Sequence, residues 1–210
     1  MQRHAGFVRE AGRGGVEVLF LGDSITDYWR SHGRAVWDRE FAPLGAANFG
    51  ISGDRTQNVL WRITHGELEG IKPKVVVLMI GTNNTGPGFG GEQSLTPKNT
   101  SAEIVAGIHS IVKTLAKSLP EARILVLGIF PRGDKEDPLR KQLADINQSL
   151  GKYVGGRNAR FLDITSRFLA PDGTLSKEIM PDLLHPNERG YEIWADAIRD
   201  PLRAMLDLSP

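Results

Sequence analysis

The run Val75-Val76-Val77-Leu78-Met79-Ile80 carries no polar side chain and is β-branched at Val75, Val76, Val77 and Ile80. A strand with one wet face alternates apolar and polar residues. An unbroken run therefore predicts a strand covered on both faces, the setting of a central strand in a parallel sheet. Parallel neighbours cannot be joined by a tight turn, and each connection needs a crossover long enough for a helix. The rest of the chain supplies that alternation. Val16 to Leu21, Ala46 to Phe49, Ile124 to Leu127 and Arg160 to Leu162 read as further short strands. Between them, Val59, Leu60 and Ile63 mark one helix face. Ile104, Val105, Ile108, Ile111, Val112 and Leu115 mark a second, opened by residues with capping-box spacing, Thr100 and Glu103. Leu139, Leu143, Ile146, Leu150 and Val154 mark a third, with Asp137 as its cap and Pro138 at the first helical position. A last helix is predicted from about Asn187, carrying Tyr191, Trp194, Ala195 and Ile198, and the region from Tyr28 to Phe41 reads as helix plus irregular connection. The fold class expected is α/β: a flavodoxin-like three-layer α/β/α sandwich with a five-stranded parallel sheet.

Neither a repeat nor a linker divides the 210 residues, so a single domain over 1–210 is expected. Met1 to Gly15 is polar and glycine-rich, and residues 1–14 read as a loosely packed N-terminal extension rather than a signal peptide. This leaves the compartment open: cytoplasm, or outside the cell if a leader was removed. The apolar runs are too short for a membrane span. A net charge of +1 gives no field that favours nucleic acid or an anionic membrane. The absence of cysteine excludes disulfides, thiolate catalysis and Cys-based metal centres.

In doubly wound sheets, sites form at the carboxyl edge of the strands. Ser24, Gly53, Asn83 and the turn Pro131-Arg132-Gly133 all fall just after predicted strands, so they are expected to meet on one rim. Ser24 stands where a helix should begin, either as a nucleophile or simply as a helix cap. A serine nucleophile needs a base, a carboxylate to orient that base, and donors for the oxyanion. Of the five histidines, His4 lies in the terminus, while His32, His65 and His109 lie in segments read as helix or connection. His185 lies in a turn before the last helix with Asp182 three residues earlier, a spacing that can return the carboxylate to Nδ1 and leave Nε2 free for Ser24. The alternative is that Asp182 and His185 are turn and capping residues. The oxyanion donors would be the Ser24 N–H, the Gly53 N–H and the Asn83 amide, although Gly53 and Asn83 also suit ordinary turns.

Gly22-Asp23-Ser24-Ile25, Asn48-Phe49-Gly50-Ile51-Ser52-Gly53-Asp54, Gly81-Thr82-Asn83-Asn84 and Asp182-Leu183-Leu184-His185 resemble, in order, the four blocks of the SGNH (GDSL) hydrolase family. Within it the likeness is strongest to the catalytic subunits of intracellular platelet-activating factor acetylhydrolase, including Asn58-Val59-Leu60-Trp61-Arg62-Ile63, and extends to bacterial carbohydrate O-acetylesterases. The resemblance implies Ser24 as nucleophile, His185 as base, Asp182 as its orienting carboxylate, and Gly53 with Asn83 completing the oxyanion hole. It implies hydrolysis through an acyl-enzyme without a metal or other cofactor, and it implies dimerisation. No Gly-x-Ser-x-Gly surrounds Ser24, which disfavours the α/β-hydrolase fold. The chain departs from the acetylhydrolase subunits at Ser52, where they have a second glycine, and in a longer loop from Thr85 to Lys98.

The function expected is a serine esterase acting on short-acyl, in particular acetyl, oxygen esters of a small-molecule sugar or lipid. Asp23, Trp29 and Phe89 are candidates to line the substrate pocket, with packing the competing reading for Trp29. The rivals are a lysophospholipase or thioesterase with the same machinery, and a non-catalytic carbohydrate- or partner-binding module. A flavin site follows from fold analogy alone, and the first strand–helix loop lacks a Ser/Thr-rich phosphate cradle.

Overall fold

The computed structural model describes residues 2–86, 98–156 and 158–207. Five strands form one parallel sheet: β1 (Val18–Gly22), β2 (Ala46–Gly50), β3 (Val75–Met79), β4 (Arg123–Leu127) and β5 (Ala159–Leu162), in the order β2-β1-β3-β4-β5. The helices are α1 (Gln2–Ala11), α2 (Ser24–Asp27), α3 (Arg34–Glu40), α4 (Thr56–Ile63), α5 (Ser101–Ser118), α6 (Pro138–Tyr153) and α7 (Glu188–Asp207).

The apolar runs explain the layers. Along β3, Val75, Val77 and Met79 enter one hydrophobic cluster, while Val76, Leu78 and the following Ile80 enter the other. Ile104, Ile108, Ile111 and Leu115 of α5 and Leu143, Ile146 and Leu150 of α6 cover the second of these faces. Tyr191, Trp194, Ile198 and Leu202 of α7 cover the first. Each such side chain, fully buried, contributes about 1.5–3 kcal/mol. The helix starts read from sequence are present: Thr100 and Glu103 cap α5 reciprocally, and Asp137 accepts from the Leu139 N–H at 2.9 Å.

The N-terminal segment differs from the loose extension expected. Residues 2–11 form α1, with Phe7 and Ala11 buried in the core. Only these two apolar positions face inward, too few to register as a periodic stripe, and contacts from Arg3 to Asp27 and from His4 to Glu67 hold the first turn of the helix.

The strand order reverses direction between β1 and β3, which opens a crevice at their carboxyl ends. The loops after β1, β2 and β3 converge there.

Candidate active site

Gly22 ends β1 because nothing larger fits: a Cβ there would lie 2.1 Å from Thr26 Oγ1 and 2.4 Å from the Met79 carbonyl oxygen. Asp23 then caps α2 by accepting from the Ile25 N–H at 3.0 Å, and Ser24 is the first helical residue. Two long-range contacts fix this short helix. Asn48 Nδ2 donates to the Thr26 carbonyl at 2.8 Å, and the Tyr191 hydroxyl donates to the Ile25 carbonyl at 2.6 Å. The Asp23 carboxyl is fully buried and its second oxygen has no partner. Burial pushes its pKa up to about 7, against the Ile25 hydrogen bond, with the Asp54 carboxylate adding to the rise and Arg132 opposing it.

At the other end of the chain, the turn Asp182–His185 folds back on itself. Asp182 Oδ1 accepts from the N–H groups of Leu184 (3.0 Å) and His185 (2.7 Å), and Oδ2 meets His185 Nδ1 at 2.7 Å. Leu183 takes a positive φ of 57° within this turn, a conformation that non-glycine residues rarely adopt. The Gly133 N–H donates to its carbonyl at 2.8 Å, tying the turn to the loop after β4. His185 Nε2 lies 2.8 Å from Ser24 Oγ. Burial acts to raise the Asp182 pKa, but the hydrogen bonds from His185 and Leu184 outweigh it and hold the carboxyl below its ordinary range. The Tyr28 ring stands 5.0 Å from the imidazole, centroid to centroid.

Gly53 has φ 84° with open space where a Cβ would stand, so backbone conformation rather than crowding selects glycine. Asn83 sits in the turn after β3, and its Nδ2 donates to the Asp54 carbonyl at 2.9 Å. This contact lays the amide beside the Gly53–Asp54 backbone. Asn84 is structural: its amide bonds the Thr56 N–H and hydroxyl, Gln57 and Asn99. Arg132 reaches the Thr82 carbonyl at 3.4 Å. Burial lowers its pKa, opposed by Asp137, Asp23 and Asp182.

Ser24, Asp182 and His185 thus form one hydrogen-bonded row, and Asn83 and Gly53 meet on the same rim. Asp23 and Trp29 present no exposed surface beside Ser24, and the cavity that Trp29 borders, with Arg30, Trp37 and Asn48, includes neither Ser24 nor His185. Both are fully buried, and Trp29 is packed against Trp37, Phe41, Tyr191 and Trp194. The correction has a simple cause, since an indole that close to the nucleophile in sequence can point either to the rim or into the layer beneath it, and four aromatic neighbours fill the layer. Phe89 lies outside the described residues. Sequence reasoning assigned no site role to Tyr28, Tyr191 or the Asp54–Arg62 pair; the available signal was an arginine three residues after Val59 and beside Ile63, on the helix face read as apolar. Among the described residues, no three or more histidine, aspartate or glutamate side chains gather as a metal site, and no helix is long and apolar enough to cross a membrane.

The sequence profile of the GDSL-like Lipase/Acylhydrolase family matches residues 20–193. The chain is 38% identical over 214 residues to the human platelet-activating factor acetylhydrolase IB subunit alpha2, covering 100% of this chain and 86% of that protein. Identity to the human alpha1 subunit is 38% over 207 residues, covering 98% and 84%. Two solved structures share the fold. A GDSL-like lipase from Bacteroides thetaiotaomicron has a TM-score of 0.72 at 19% identity, with 97% of each chain covered. An acetyl-xylooligosaccharide esterase from Geobacillus has a TM-score of 0.69 at 22% identity, covering 91% of this chain and 94% of that one.

Proposed function

The chain belongs to the GDSL-like Lipase/Acylhydrolase family and is a carboxylic ester hydrolase, and from that premise we propose that it removes acetyl groups from oxygen esters through an acyl-enzyme formed on Ser24. The observation that carries the proposal is the row Ser24 Oγ–His185 Nε2 (2.8 Å) and His185 Nδ1–Asp182 Oδ2 (2.7 Å). Neutral His185 takes the hydroxyl proton as Oγ attacks the ester carbonyl. Asp182 holds the ring by Nδ1 and stabilises the imidazolium. The N–H groups of Ser24 and Gly53 and the Asn83 amide bind the tetrahedral oxyanion. His185 returns the proton to the leaving alcohol, then activates the water that releases the acid. No metal or organic cofactor is needed for these steps.

The acetyl preference is supported by the name of the relatives, acetylhydrolases at 38% identity over essentially the whole chain. A series of p-nitrophenyl esters tests it: acetate should turn over faster than octanoate, and the reverse order would overturn it. For the alcohol, the same relatives favour a glycerophospholipid acetyl ester over an acetylated sugar. Acetyl-glycerophospholipid and acetylated xylo-oligosaccharides, assayed in parallel with Ser24→Ala as control, decide between them. A homodimer is the assembly we propose, and light scattering of the purified protein tests it.

A further inference from the structure

The strip Ile51-Ser52-Gly53-Asp54 is tethered on both sides of Gly53, and both tethers end on α1, which lies outside the residues matched by the family profile. On one side, Ser52 Oγ donates to Asp27 Oδ2 at 2.9 Å, while Asp27 Oδ1 accepts from Arg30 at 2.6 Å and from the Arg3 guanidinium. On the other side, Asp54 Oδ2 accepts from Arg62 Nε at 2.8 Å. Arg62 also donates to the Phe49 carbonyl at 3.0 Å and to Glu67, whose other oxygen lies 3.2 Å from His4 Nδ1. Glu67 is fully buried and Arg62 is 3% exposed. Phe7 of α1 stacks on Phe49 of β2 at 4.6 Å, and the guanidinium carbons of Arg3, Arg30 and Arg62 stand 5.8, 5.3 and 5.9 Å from its ring centre. One aromatic ring therefore seats arginines from both tethers.

The second tether reaches the site directly. Its Asp54 supplies the carbonyl that fixes the Asn83 amide at 2.9 Å. A buried carboxylate oxygen left without a partner is costly, so the Glu67 oxygen not used by Arg62 needs a group facing it. His4 Nδ1 is that group, at the end of the row nearest solvent, with its side chain 14% exposed.

We propose that Arg3 and His4 are positioning residues for ester hydrolysis, acting through the Asp27–Ser52 and Glu67–Arg62–Asp54 tethers to hold Gly53 and Asn83 where the oxyanion forms. This rests on the assignment of Gly53 and Asn83 as oxyanion donors. Misplacing a preorganised donor by a fraction of an ångström weakens transition-state binding more than substrate binding.

The experiment is a double-mutant cycle on the full chain with p-nitrophenyl acetate, using His4→Ala, Arg3→Ala and Asn83→Ala, with thermal melts of each. His4→Ala and Arg3→Ala together should lower kcat about 3- to 10-fold with KM within about twofold, as expected for coupling between groups of one network. His4→Gln, which keeps an N–H donor for Glu67, should recover at least half of the His4 loss. In the Asn83→Ala background the effect of His4→Ala should disappear, because the donor it positions is gone. The proposal is overturned if kcat is unchanged in the double variant, or if the His4 effect is undiminished on Asn83→Ala. Should a variant melt below the assay temperature, Glu67→Gln replaces it under the same criteria. An Asn83→Ala enzyme with parental kcat would instead sink the oxyanion assignment itself.

Discussion

Ser24 Oγ and His185 Nε2 lie 2.8 Å apart, although 161 positions of chain separate them. Two local devices make the meeting possible. Gly22 lets β1 turn into α2 without a collision, and Asp182 holds the imidazole through Oδ2 while Oδ1 accepts from the backbone N–H groups of the same turn. The contact is thus set by elements that each hold one partner rigidly, the arrangement that nucleophile activation requires.

His185→Ala should lower kcat by at least about 10³-fold, and Asp182→Asn by about 10²–10⁴-fold, with the fold intact. Steady-state kinetics on p-nitrophenyl acetate measure both. Combining the two changes should cost little more than His185→Ala alone, since the residues act as a unit.

Asn83 and Asn84 are neighbours with different work. Asn83→Ala should cost about 10²–10³-fold in kcat while the melting temperature changes little. Asn84→Ala removes hydrogen bonds to Thr56, Gln57 and Asn99 and leaves the buried Thr56 N–H unsatisfied. It should cost about 1–3 kcal/mol in stability, read from urea unfolding of the two variants side by side.

The buried Asp23 carboxyl should make the protein lose stability as pH rises from about 4 to about 7, since its folded pKa of about 7 stands above the ordinary 3.8. The folded state then prefers the protonated form, so the favourable difference is complete below the unfolded value and vanishes through the folded one. Relative to Asp23→Asn, the wild type should lose up to about 4 kcal/mol across that range. Asp182, held below its ordinary range, acts with the opposite sign and loses its contribution as acid is added. Urea titrations of wild type and Asp23→Asn at successive pH values separate the two.

The aromatic cluster around Trp29 should be indifferent to substrate. Trp29→Phe is expected to cost about 1–3 kcal/mol by leaving a cavity and to leave the order of acyl-chain preference unchanged. A changed order in the p-nitrophenyl ester series would put the indole back at the pocket.

The parts of this fold that could be read in the sequence are those where one residue type answers one local demand. The β3 run of valines admits no exposed face, and Thr100 with Glu103 caps α5 at the spacing that a capping box requires. Asp182 and His185 were legible for the same reason, because a three-residue spacing closes on itself. What could not be read depends on distant partners. α1 buries only Phe7 and Ala11, and its charged residues find their partners on α2, α4 and the segment that follows α4. The placement of Trp29 was undetermined for a related reason, since nothing local distinguishes an indole facing the rim from one packed under it by Trp194 and Tyr191.

The most direct test of the central claim is covalent capture of the nucleophile. Wild-type protein treated with a fluorophosphonate and mapped by mass spectrometry should carry one adduct, on Ser24, with Ser24→Ala unlabelled and His185→Ala labelled far more slowly. An active esterase that takes up no label, or takes it up at another residue with Ser24 untouched, would contradict the account.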